Sequence, residues 1–118
     1  MTTSGGAATF KAAMIQMRSG VSPQANLEAA LRAVEEARRA GADYIQTPEM
    51  TNIMEIKRER LFAAIVAEES DPTLAAFRER ARALGAHLHI GSLAVKVSPD
   101  RAANRRTTGA AICSETRG

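Results

Sequence analysis

The sequence predicts an α/β fold, because short apolar runs alternate with segments of helical periodicity. The predicted order of elements is β-α-β-α-α-β. The two longer helices are predicted to start alike, at Ser22-Pro23 and at Asp71-Pro72. Each pair supplies an N-cap side chain and a proline for the first helical position. Strands that alternate with helices in this way indicate a mainly parallel or mixed sheet covered by helices.

Each element is predicted from its apolar residues and from the residues that end it. Three runs are apolar enough for buried strands, at residues 10–17, 43–47 and 87–95. Helical periodicity is found in three segments, strongly at 23–40 and 72–84 and more weakly at 56–67. Gly41 and Gly85 are placed to end the two longer helices. Beyond Ser98 no clear periodicity remains, although the apolar run at 109–113 could form a fourth strand.

Length and composition indicate a single domain with an aliphatic core. The chain has 118 residues, of which 45% are hydrophobic and only 3% aromatic. Its one cysteine, Cys113, allows no internal disulfide, which suits a reducing compartment. Residues 1–9 are small and polar, so we expect a flexible tail rather than a secretory signal. No apolar run reaches membrane-spanning length, and we therefore expect a cytoplasmic protein without a membrane partner.

Glu49 is the best candidate for a catalytic residue. It follows the predicted strand 43–47, and Pro48 holds Thr47 in an extended conformation. Glu49 should therefore emerge just past the C-terminal end of the strand, where α/β folds commonly place their chemistry. The alternative is a glutamate on an exposed loop with no catalytic role.

The other chemically versatile residues have structural interpretations that we prefer. His87 and His89 share one strand face, but no third metal ligand accompanies them, so we interpret them as packed or edge histidines. Lys96 is interpreted as a strand-end lysine, and Cys113 as a small buried or disordered cysteine. The net charge of +3 and the arginine-rich C-terminal segment favour nucleic acid weakly, because no aromatic residues are interleaved. We expect no metal, no cofactor and no nucleic-acid partner.

Several short motifs follow one another in a specific order between residues 10 and 105. They are AAMIQM at 12–17, NL at 26–27, GAD at 41–43, PEM at 48–50, GSLAVK at 91–96 and NR at 104–105. In this order and spacing they resemble the N-terminal part of the carbon–nitrogen hydrolase (nitrilase/amidase) superfamily. Within it, the pattern is most similar to the omega-amidase and deaminated-glutathione-amidase type.

The resemblance implies an α-β-β-α sandwich, incomplete in this chain, and a Glu–Lys–Cys catalytic set. In such a set the cysteine attacks a carboxamide or nitrile carbon and forms a thioester. The glutamate transfers protons and the lysine stabilises the oxyanion. By resemblance, the glutamate of the set corresponds to Glu49. The substrate of a full-length relative would be a small-molecule amide.

The catalytic lysine and cysteine of the family have no counterparts in this sequence. Asn104-Arg105 leads into RTTG at 106–109, where the family has an apolar strand, and no lysine follows Lys96. We therefore expect a partial hydrolase domain at 10–105, an atypical tail at 106–118, and no activity from this chain alone. A sheet left without its partner sheet would favour instability and self-association. The alternatives are a non-catalytic remnant and a small basic binding module, whose sign would be salt-dependent nucleic-acid affinity.

Overall fold

The computed structural model describes residues 8–105 and has a mixed α/β architecture, which confirms the predicted fold class. The strands are β1 (Ala12–Met14), β2 (Tyr44–Gln46), β3 (His87–His89), β4 (Leu93–Ser98) and β5 (Arg101–Arg105). The helices are α1 (Pro23–Arg39), α2 (Arg58–Ala64) and α3 (Pro72–Leu84), with a 3₁₀ turn at Glu68–Ser70. The predicted strand at 109–113 lies outside the described residues.

A three-stranded parallel sheet in the order β1-β2-β3 forms the centre of the structure. Helices α1 and α3 contact each other and pack on one face of this sheet. The shared core contains Val34 from α1 and Phe77 from α3, together with Ile45 and Leu88 from the strands, and all four are essentially inaccessible to solvent. Because the strands run parallel, their C-terminal ends meet at one edge of the sheet.

Both predicted helix starts are confirmed by the capping geometry. The Ser22 hydroxyl accepts a hydrogen bond from the N–H of Ala25 at 3.2 Å, and the Asp71 carboxylate accepts one from Leu74 at 3.1 Å. At the other end of α3, Gly85 has φ +63°, the left-handed conformation that glycine adopts at no steric cost. Among residues 8–105, no helix is long and apolar enough to cross a membrane.

The single strand predicted for residues 87–95 was wrong, because two strands in two different sheets cover this segment. β3 belongs to the parallel sheet, whereas β4 pairs with β5 in an antiparallel hairpin. The parallel hydrogen bonding continues as far as Gly91, since Thr47 donates to the His89 carbonyl at 2.9 Å and accepts from the Gly91 N–H at 3.1 Å. The chain then leaves the parallel sheet, and β4 begins at Leu93. The strand β5 was not predicted, because no clear periodicity is found beyond Ser98. β5 is short and polar, so its strand formation depends on pairing with β4 rather than on an apolar pattern.

The face of the parallel sheet turned away from α1 and α3 is expected to cause self-association. Its side chains are half-buried or exposed, and Met14 and nearby Phe10 are 63% and 69% exposed. Apolar surface of this kind favours association. We expect size-exclusion chromatography of the 118-residue chain to show species larger than a monomer, reduced by Met14→Lys but not by Ile56→Lys outside the sheet. A monodisperse monomer with a sharp thermal transition would contradict this expectation.

Asp71 is expected to make folding stability depend on pH. Burial raises the pKa of Asp71 above its ordinary value of 3.8, and Glu68 adds to this, against the lowering effect of backbone hydrogen bonds from Leu74 and Thr73. The folded state therefore holds the Asp71 proton up to a higher pH than the unfolded state does. Binding of this proton stabilises the fold, and its contribution is complete below the unfolded pKa. It is lost as the pH rises through the folded pKa.

The variant Asp71→Asn isolates this effect, because asparagine keeps a capping oxygen and carries no charge. We expect the unfolding free energy of Asp71→Asn minus that of the native chain to be more favourable at pH 7 than at pH 3. Urea unfolding of both proteins at both pH values measures this difference. Asp71→Ala serves as the control, since it loses the cap and should cost about 1 kcal/mol. A difference between Asp71→Asn and the native chain that does not change with pH would contradict the account.

Candidate active site

Glu49 lies in the loop that follows β2, at the edge of the sheet where the parallel strands end. Its side chain is exposed and lines an open cleft of about 260 Å³. The cleft is formed by residues from the ends of β2 and β3 and from the loops that follow them, namely Gln46, Thr47, Pro48, Glu49, His89 and Gly91. The structure thus places Glu49 where the sequence predicted it, while its catalytic role stays a prediction.

The backbone next to Glu49 is fixed by hydrogen bonds to the segment between β3 and β4. The N–H of Met50 donates to the Ser92 hydroxyl at 2.9 Å, and the N–H of Thr51 donates to the Ser92 carbonyl at 3.0 Å. Met50 has φ +54°, a left-handed conformation that is uncommon for residues other than glycine. Such a conformation persists only where the surroundings enforce it. Ser92 is buried and supplies that constraint.

Two buried threonines hold the loop from the inside. Thr47 and Thr51 are almost fully buried, and their hydroxyl oxygens lie 2.9 Å apart. The Thr51 hydroxyl oxygen is also 2.6 Å from the carbonyl oxygen of Pro48. These contacts close the loop around the backbone of residues 47–51, so that Glu49 projects from a constrained turn.

Gly91 allows the chain after β3 to pass directly against the loop that carries Glu49. A Cβ atom at position 91 would lie 2.5 Å from the carbonyl carbon of Pro48 and 2.7 Å from the carbonyl oxygen of Thr47. Real Cβ atoms essentially never approach backbone atoms this closely. Glycine is therefore required here because of a close backbone approach.

A pair of buried asparagines connects the loop to α1 and to β4. The Asn26 amide donates to the carbonyls of Gly20 and Asn52, both at 2.9 Å. The Asn52 amide donates to the Ala94 carbonyl at 2.9 Å and accepts from the Ala94 N–H at 3.0 Å. Both asparagines are buried, and these bonds satisfy polar groups that would otherwise be costly to bury.

Sequence reasoning missed the positioning role of these residues. The sequence indicated Asn26, Gly91 and Ser92 only as members of the motifs that resemble the carbon–nitrogen hydrolase superfamily, and nothing in it pointed to Asn52. The available signal was the small or polar character of Gly91 and Ser92 within the run 87–95, which was predicted to be a buried strand. Their partners, however, lie up to 42 residues away in the sequence.

The remaining candidate residues are distributed differently. His89 lines the Glu49 cleft, and its ring Nδ1 lies 2.7 Å from the Tyr44 hydroxyl. Lys96 lies on β4 and lines a separate cleft of about 430 Å³ with Glu68 and Glu69. Between residues 8 and 105 there is no cluster of three or more His, Cys, Asp or Glu side chains suited to a metal ion. Cys113 lies outside the described residues.

The arrangement at Glu49 suits proton transfer. An exposed carboxylate on a constrained turn can accept a proton from a neighbouring group and return it without moving the backbone. Of the candidate catalytic or metal-binding residues in the described part of the chain, Glu49 and His89 are the two that line this cleft.

Residues 11–113 match the carbon-nitrogen hydrolase family. No curated protein matches the chain significantly.

Solved structures of amidases share the fold. The NitN amidase from Nesterenkonia sp. AN1 is 25% identical, with a TM-score of 0.62 over 86% of this chain and 41% of its own. A glutamate-to-glutamine variant of an amidase from Nesterenkonia sp. AN1, 24% identical, shows the result of Michael addition of acrylamide at the active-site cysteine. An N-terminal amidase with a Gln-Gly peptide is 11% identical, with a TM-score of 0.66 over 80% of this chain and 23% of its own. The chain therefore spans less than half the length of these relatives.

Proposed function

Because this chain belongs to the carbon–nitrogen hydrolase family, we propose that it supplies the glutamate that transfers protons during hydrolysis of a small carboxamide. The observation that carries the proposal is the position of Glu49. It projects into a cleft at the C-terminal edge of the parallel sheet, from a turn held by Ser92 and the Thr47–Thr51 pair. Support also comes from amidases among the proteins that share the fold.

In the proposed reaction, Glu49 accepts the proton of a cysteine thiol while the sulfur attacks the amide carbon. A lysine stabilises the negative charge that develops on the amide oxygen. Glu49 then delivers the proton to the amide nitrogen, so that the carbon–nitrogen bond breaks, ammonia leaves and a thioester remains. Water, deprotonated by Glu49, attacks the thioester, and the proton returns to the thiol as the acid is released. Within residues 8–105, no cysteine and no lysine lines this cleft.

The proposed substrates are small primary carboxamides. The resemblance to omega-amidase and deaminated-glutathione-amidase type members supports a small carboxamide rather than a larger substrate class. A nitrile is the second substrate class to be tested, because the same attack can occur at a nitrile carbon.

The test compares this chain with a completed enzyme. In the completed enzyme, residues 1–105 are continued in frame by the corresponding C-terminal part of the Nesterenkonia amidase. We expect the completed enzyme to release ammonia from propionamide. We expect no release from a polypeptide of these 118 residues alone, because no lysine follows Lys96 and the sequence around Cys113 differs from that of a family nucleophile.

Two results would contradict these expectations. Turnover by the 118-residue chain that disappears in Glu49→Ala or Cys113→Ala would show that this polypeptide is an enzyme by itself. A folded completed enzyme that cleaves no carboxamide would remove the basis of the proposed function.

A further inference from the structure

Three polar side chains form a connected group on the sheet face opposite α1 and α3. Tyr44 and Gln46 are two residues apart on β2, so their side chains lie on the same face of the sheet. Gln46 is directly across from His89 on β3. The Tyr44 hydroxyl is 3.1 Å from Gln46 Oε1 and 2.7 Å from His89 Nδ1. The Tyr44 and His89 rings also meet edge to face, with centroids 6.2 Å apart.

These contacts favour one tautomer of the neutral His89 ring. Gln46 Oε1 can only accept, so Tyr44 donates its single hydroxyl proton to Gln46. The Tyr44 oxygen then accepts from His89, which places the proton of the neutral imidazole on Nδ1. Its Nε2 is consequently an acceptor, located on the side of the ring away from Tyr44.

We propose that His89 is the specificity-determining residue of the Glu49 cleft and that its Nε2 accepts a hydrogen bond from the –NH₂ group of a carboxamide substrate. His89 and Glu49 line the same cleft of about 260 Å³, so both residues are available to a small ligand bound there. This inference rests on the proposed function, because it assigns the amide recognition within that site. The unprotonated Nε2 of a neutral imidazole accepts a hydrogen bond from an N–H donor on the ligand, which a primary amide has and a nitrile lacks.

His87 provides a matched comparison within the same strand. It lies on the same face as His89, two residues earlier, and lines a different cleft with Phe10, Asp43 and Tyr44. The sequence contains only two histidines, so ring nitrogen spectra of the chain show these two residues alone. The variant His87→Gln assigns them.

The first test is nitrogen-detected NMR of the 118-residue chain labelled at histidine. We expect His89 to show the Nδ1–H tautomer, and Tyr44→Phe to abolish that preference. Adding propionamide should shift the Nε2 resonance of His89 but not that of His87, and propionitrile should shift neither. Equal tautomer behaviour of the two histidines in a folded chain, or equal responses to amide and nitrile, would overturn the inference.

The second test uses kinetics of the completed enzyme, so that the inference is decided even if the isolated chain fails to fold. Loss of one hydrogen bond in His89→Phe should raise KM for propionamide about tenfold with a smaller change in kcat. His89→Gln should restore part of the affinity through its amide oxygen, and His87→Phe should leave KM unchanged. An unchanged KM in His89→Phe would overturn the inference.

The same measurements separate this inference from the proposed function. If turnover depends on Glu49 while His89→Phe leaves amide preference intact, only the role of His89 fails. If His89 still selects the amide while turnover is independent of Glu49, the proposed function fails instead.

Discussion

Replacing Glu49 by glutamine in the completed enzyme is expected to lower kcat for propionamide about 10²–10⁴-fold, the range typical for loss of a general base. Glutamine has nearly the same shape as glutamate but cannot accept the proton from the nucleophile. The Glu49 side chain is exposed, so the substitution leaves the core packing unchanged. Steady-state ammonia release measures the effect, and thermal unfolding verifies that the fold persists.

Glu55 offers a matched control for this experiment. It lies six positions further along the same connection between β2 and α2, and its carboxylate accepts from the N–H of Lys57 at 3.0 Å. It does not line the Glu49 cleft. We expect Glu55→Gln to keep normal turnover. If Glu49→Gln also kept full turnover, the assignment of Glu49 as the base would be wrong.

The substitution Gly91→Ala is expected to destabilise the protein and to displace the loop that carries Glu49. The added Cβ would lie 2.5 and 2.6 Å from the carbonyl carbon and oxygen of Pro48, so one of the two backbone segments must move. Such overpacking costs about 1–3 kcal/mol of unfolding free energy, which urea unfolding of the 118-residue chain measures. A shift of about 1 Å at Glu49 would also lower turnover of the completed enzyme about 10²-fold.

Gly20→Ala is the control for this steric argument. A Cβ at position 20 would meet no atom within 4 Å, and the backbone of Gly20 does not have a left-handed conformation. Its hydrogen bonds to Asn26 use only backbone groups and are retained. We expect a change within about 0.5 kcal/mol. Equal stabilities of Gly91→Ala and the native chain would show that the contact with Pro48 does not constrain the loop.

The elements that could be predicted from the sequence are those determined by neighbouring residues. Ser22-Pro23 and Asp71-Pro72 start helices through a local contact, because each capping side chain accepts a hydrogen bond from the N–H three residues further on. The position of Glu49 followed equally from Thr47-Pro48, since proline restricts the residue before it. Local chemistry therefore predicted the α/β order and the place of the candidate catalytic residue.

The features that escaped prediction depend on contacts between distant segments. Gly91-Ser92 is a local sign of a break within the apolar run 87–95, but the Pro48 backbone that approaches Gly91 belongs to a distant segment of the sequence. The constraint on the Glu49 loop likewise comes from Ser92 and from the pairing of Asn52 with Ala94, across 42 residues. His89 was correctly expected to lie on one face with His87, but its bond to Tyr44 requires the register between β2 and β3.

The most direct test of the central claim is a crystal structure of the completed enzyme with bound propionamide, using a variant that lacks the cysteine nucleophile. The account predicts that the amide group lies in the cleft formed by the ends of β2 and β3. A Glu49 carboxylate oxygen should be about 2.6–3.2 Å from the amide nitrogen, the distance required of a proton-transferring group. Propionamide bound at another site, with Glu49 directed into solvent, would contradict the claim that this chain supplies the base.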